Sequence, residues 1–92
     1  GYSERAQQRI EARRQHIAPA LERYRQAHGE YPASLKAAGV EAPRTPYGRL
    51  HYSAARSQQG IPMYLLAYGN NEIHGFEALW SSEAGTWEIF RF

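Results

Sequence analysis

The feature that most constrains this chain is a change of hydrophobic period near its middle. Between residues 3 and 28, apolar or aromatic side chains recur at Ala6, Ile10, Ile17, Leu21, Tyr24 and His28. That spacing keeps one stripe of a helix apolar. From residue 49 the pattern alternates, with Met63, Leu65 and Ala67 set against Tyr64, Leu66 and Tyr68. This is the two-residue period of strands. A long helix followed by consecutive strands predicts an α+β fold, the helix packed on a four-stranded antiparallel sheet. Ninety-two residues allow one domain at most, spanning 1–92: a helix over 1–28, a connecting turn and loop over 29–48, and a sheet over 49–92.

Within the helix, Ser3 is the expected N-cap and Gly29 the C-terminal cap. Pro19 removes a backbone donor, which predicts a kink near residues 15–19. At about 100° per residue, Ile10, Ile17, Leu21 and Tyr24 fall within roughly 60° of one another. Arg5, Arg9, Arg13 and Arg23 line one flank, and Glu4, Glu11 and Glu22 share a face pointing away from it. The apolar stripe is thin before Ile17. The first three turns are therefore expected to be solvated, with the docking surface from Ile17 onward.

After Gly29, Pro32 and Gly39 bracket one expected helical turn anchored by Tyr31 and Leu35. Pro43, Pro46 and Gly48 predict an irregular loop over 40–48. Leu50 to Tyr52 reads as a short first strand, Ser57 to Gly60 as a turn, and Met63 to Tyr68 as the second strand. Gly69-Asn70-Asn71 is a turn signal. Ile73 to Trp80 reads as a third strand with Gly75 a bulge, and Thr86 to Phe92 as the last.

Composition excludes several chemistries. There is no cysteine, which removes disulfide scaffolds, thiol catalysis and cysteine-based zinc sites. All nine acids are glutamate, and every basic residue but Lys36 is arginine. The net charge is +2, too small by itself to indicate a nucleic-acid binder, so the distribution of charge matters more. No apolar run approaches the roughly 18 residues that span a bilayer.

One ordered set of residues carries a resemblance. Ala20-Leu21, Tyr24, Gly29, Tyr31-Pro32, Leu35, Pro43 and Pro46-Tyr47-Gly48 follow in that order. This resembles the region after the membrane helix in type IV pilins and type II secretion pseudopilins, over roughly residues 17–68. Each of these residues suits a way of packing a helix on a sheet. The resemblance implies an apolar membrane helix upstream of Gly1, and a domain on the periplasmic or extracellular face of the bacterial inner membrane. It implies no cofactor and an assembly role, with other pilin-like subunits or secretion-complex proteins as partners. The acidic calcium loop of major pseudopilins is missing, so the resemblance points to a minor subunit or a pilin-like protein that does not polymerise.

Candidate sites divide into weak and stronger groups. His16, His28, His51 and His74 match no metal-ligand spacing. Ser53, His51 and Glu77 or Glu72 supply the residue types of a nucleophilic triad without a glycine-flanked nucleophile turn, and Glu77 and Glu88 supply two carboxylates without a defined cleft. No catalytic residue is assigned, and a non-enzymatic protein is expected. The stronger candidates are contact surfaces. Arg5, Arg9, Arg13 and Arg23 can track phosphates of DNA or lipid headgroups, meet glutamates of a neighbouring subunit, or form a solvated face laced with Glu–Arg pairs. Trp87 and Ile89 share one face of the last strand and Phe90 and Phe92 the other. Only one face can meet the helix, so an exposed aromatic contact surface is expected.

Overall fold

The structure, a computed structural model, describes residues 4–91; the expected N-cap Ser3 and the candidate contact residue Phe92 lie outside them. Helix α1 spans Glu4–His28. Its 25 residues, at about 1.5 Å each, account for most of the molecule's 40 Å length. The helix continues through Pro19 without a break. Pro19 and Gln15 are both exposed, so the carbonyl of Gln15, which loses its intrahelical donor at Pro19, lies on the water side of the helix.

Gly29 ends α1 in the left-handed region, at φ 78°, and its N–H donates to Arg25 O at 2.7 Å. A single 3-10 turn follows at Lys36–Ala38, closed by Gly39. Short strands β1 (Arg44–Thr45) and β2 (Gly48–Arg49) then pair antiparallel. The loop expected over 40–48 thus contains a small hairpin, with Thr45 Oγ1 donating to Gly48 O at 2.6 Å across the turn.

The main sheet contains β3 (His51–Arg56), β4 (Pro62–Asn70), β5 (Phe76–Ser81) and β6 (Trp87–Arg91), in sequence order and all antiparallel. The α+β arrangement is the one the change of period implies. Three strands differ from expectation by more than one residue at an end. The first runs on to Arg56, because residues through Arg56 pair with Pro62 to Ala67 of β4. The second, expected over Met63 to Tyr68, extends to Asn70, because Gly69 and Asn70, expected in a turn, pair with Glu77 and Phe76 of β5. The third begins at Phe76 rather than Ile73, because Asn71–His74 form a helical turn, α2. Asn70 Oδ1 accepts from the N–H of Glu72 at 2.8 Å and of Ile73 at 3.2 Å, satisfying donors a helix start leaves open. Gly75 is the left-handed C-cap of this turn and not a bulge.

One hydrophobic core lies between α1 and the inner face of the sheet. It joins Ile10, Ile17 and Leu21 to Tyr64, Leu66, Tyr68, Phe76, Ala78 and Trp80, closed by Leu35 and Leu50. The inner strand faces follow the alternation in the sequence. The first half of α1 does not follow expectation. Ala6 and Ile10 are buried, Ile10 completely, so the docked face of the helix begins in its first turn and runs from Ala6 to Leu21.

Candidate functional site

What holds the first half of α1 on the sheet is polar as well as apolar. The Glu11 carboxylate accepts from Arg14 Nε at 2.6 Å and Arg14 Nη2 at 2.7 Å. It also accepts from Gln15 Nε2 at 2.9 Å and from Trp87 Nε1 at 2.9 Å, the last across from β6. The Arg14 guanidinium sits over the Trp80 ring, 4.4 Å from its centroid, a cation–π arrangement. Arg14, donating to both oxygens, holds the Glu11 carboxyl down at about 2, against an opposing effect of burial and with help from Trp87 and Gln15. Glu11 is therefore not one of a solvated acidic row. With Arg14 it clamps the helix to β5 and β6. This is a structural role, and it explains why Trp87 is half-buried.

At its other end the helix is tied by tyrosines. Tyr31 packs edge-on against Tyr64, centroids 4.8 Å apart, and donates to Glu22 Oε1 at 2.7 Å. Tyr52 donates from β3 to Pro32 O at 2.6 Å. Burial pushes the Tyr52 phenol up to about 12. Burial and then the Glu22 bond push Tyr31 to about the same value. Contacts thus step across the sheet from β6 at Glu11 to β3 at Pro32.

Two surfaces remain as candidate sites. The first is a groove of about 860 Å³ between α1 and residues 40–49. Arg9 and Arg13, one helical turn apart, form one wall with His16 at its end. Arg44 and Arg49, directly opposite each other in the β1–β2 pair, line the other. The floor includes Ala12, Ile17, Val40, Ala42 and Pro43, and Glu41 is the acid at the rim. Arg9, Arg13, Arg44 and Arg49 are all exposed. Arg49 Nη1 donates to Ala42 O at 3.0 Å, which fixes that side chain along the groove. Of the arginine flank read from the helix, Arg9 and Arg13 enter this groove. Arg5 and Arg23 are exposed and do not line it. Arg44 and Arg49 were not singled out from the sequence. They join the site only because the β1–β2 pair folds back beside α1.

The second surface is the outer sheet face. Met63, Leu65, Ala67 and Leu79 are partly exposed there, and Phe90, opposite Glu77 on β5, is 43% exposed. Glu77 and Glu88 share that face and are exposed. Trp87, by contrast, faces inward beside Tyr68, centroids 5.1 Å apart, and is not part of a free aromatic surface.

The histidines are scattered. His28 packs on Tyr24 at 4.1 Å, and His74 Nδ1 accepts from Asn70 N at 3.1 Å. Among the described residues no cluster of three or more metal-ligating side chains occurs. No hydrogen bond joins Ser53, His51 and Glu77. Among the described residues no helix is long and apolar enough to cross a membrane. Comparison of the chain with known protein families, with curated proteins and with solved structures finds no match.

Proposed function

We propose that this chain is the head domain of a pilin-like assembly subunit, of the kind found in type IV pili, type II secretion pseudopili or a related envelope complex. It would be anchored on the periplasmic or extracellular face of the bacterial inner membrane by an apolar helix upstream of Gly1, and it would act through contacts between subunits. The observation that carries this reading is where the resembling residues fall. Gly29 ends the helix at φ 78°. Tyr31 covers Tyr64, and Pro32 and Leu35 are buried. Tyr47 packs on Tyr68 and Phe76 at 5.9 and 4.9 Å, and Gly48 turns the chain at φ 96°. The ordered set is thus the physical joint between helix and sheet. An α1 docked from its first turn, at Ala6 and Ile10, would also be a firm continuation for a preceding membrane helix.

The test is the gene sequence upstream of the codon for Gly1. About 20 consecutive apolar residues running in helical phase into α1, preceded by a basic leader and cleavage site, support a subunit that enters a filament. The apolar helix without the leader supports a pilin-like envelope protein. Absence of an apolar segment removes the assembly reading. A binding module acting through the arginine flank is the second reading, favoured by the position of Arg9 and Arg13 in the groove.

A further inference from the structure

We infer that the groove between α1 and residues 40–49 is a docking site for a short acidic peptide segment of a partner protein, one in which carboxylates alternate with apolar side chains. The inference does not depend on the assembly reading, because it uses neither an upstream helix nor contact between copies of this chain.

Charge sets the first condition on the occupant. Arg9 and Arg13 face Arg44 and Arg49 across the groove, and Glu41 is the acid among them. Arginine presents a planar fork that pairs with carboxylate or phosphate through two hydrogen bonds. None of these arginines forms an ion pair among the described residues. All four are exposed, so an anionic occupant complements them without breaking an existing ion pair.

The floor sets the second condition. Ile17, Val40, Ala42 and Pro43 give the groove an apolar base between cationic rims. From Arg9 to His16 the helix rises about 10 Å, the length of about three extended residues. A segment reading acidic–apolar–acidic places its middle side chain on this floor and its carboxylates at the guanidinium rims, because side chains alternate along an extended chain.

The same features argue against a nucleic acid. Single strands bind through aromatic platforms, and no Tyr, Trp or Phe lines the groove. A phosphate backbone is negative at every unit and offers Glu41 no backbone N–H, whereas a peptide with spaced carboxylates can place a backbone N–H for Glu41 to accept. The outer sheet face of a second copy carries Glu77 and Glu88, but a flat sheet does not enter a concave groove.

The test is fluorescence anisotropy of this protein with four labelled probes. They are a peptide alternating glutamate and leucine, one alternating lysine and leucine, a single-stranded oligodeoxynucleotide and a short duplex. The acidic peptide is expected to saturate below about 1 mM and to weaken as salt rises from about 50 to about 300 mM. Arg13→Glu and Arg44→Glu are expected to weaken it about tenfold each. Arg5→Glu and Arg23→Glu carry the same charge change outside the groove and are expected to leave it nearly unchanged. Circular dichroism confirms that each variant is folded. Tighter binding of either nucleic acid than of the acidic peptide overturns the inference. So does an equal loss in Arg23→Glu and Arg13→Glu, or no saturation by the acidic peptide. Self-association without peptide that Arg13→Glu abolishes assigns the groove to a second copy and also overturns it.

Discussion

Replacing Glu11 by Gln removes the charge at the centre of the clamp that joins α1 to β5 and β6, while keeping a side chain of the same shape. In the folded protein the Glu11 carboxyl sits at about 2 against an ordinary 4.5. A difference of this size corresponds to roughly 3 kcal/mol between protonation states. The Glu11 side chain is 32% exposed, so solvent screening reduces the net contribution to about 1–2 kcal/mol. For a domain of this size that is a fall in Tm of roughly 5–15 °C at pH 7. The sign with pH follows from the lowered value. The carboxylate's contribution is present above about pH 4.5 and is lost progressively as pH falls through about 2, where the unfolded chain is protonated and the folded carboxyl is half protonated. Thermal melts of the parent and Glu11→Gln, followed by circular dichroism from pH 7 to pH 2, should show two curves that converge over that window. A difference in Tm that stays constant from pH 7 to pH 2, or no difference at pH 7, refutes the clamp. Arg14→Met in the same series completes a double-mutant cycle, with an expected coupling of about 1 kcal/mol or more.

Other substitutions separate packing from surface. Ile10→Ala should cost about 2–4 kcal/mol in urea unfolding, because the side chain is fully buried, whereas Arg9→Ala should change stability by less than about 0.5 kcal/mol; equal effects would place the first helical turns in solvent. Gly69→Ala should be more destabilising than Gly85→Ala. Both have positive φ, but a Cβ at Gly69 would lie 2.9 Å from Phe76 O and 3.0 Å from its ring, while that at Gly85 meets nothing within 4 Å. Ultraviolet titration should show Tyr31 and Tyr52 ionising only near pH 12, so their contribution to stability is present below pH 10 and is lost as pH rises toward 12. Tyr52→Phe, which deletes the 2.6 Å bond to Pro32 O, should cost about 1 kcal/mol and remove one late-titrating group.

The change of period made the helix, the meander and the inner strand faces legible, since Tyr64, Leu66 and Tyr68 alternate cleanly with their neighbours. The docking of the first helical turns was not legible, for a physical reason. Counting apolar residues finds only Ala6 and Ile10 there, whereas the contact is completed by Arg14 lying on Trp80 and Glu11 bonded to Trp87. Arg14 falls about 40° from Ile10 around the helix, inside the buried stripe, where a charged residue does not register as core. The apolar Ile73 suggested strand, yet it is 76% exposed, because the Asn70 cap and the left-handed Gly75 favour a helical turn. The groove was half legible. The spacing of Arg9 and Arg13 puts them on one helix flank, but Arg44 and Arg49 reach it through a hairpin of two-residue strands, too short to show periodicity.

The most direct test of the assembly reading is disulfide cross-linking of the full-length protein in native membranes. These 92 residues hold no cysteine, so single cysteines placed at the exposed positions Gln8 and Gln26 of α1, with any cysteine elsewhere in the full-length protein replaced by serine, report only their own neighbours. The account predicts membrane-bound protein that cross-links to another copy or to an envelope subunit through at least one of these positions. Full-length protein recovered entirely in the soluble fraction, with no adduct at either position, would contradict it.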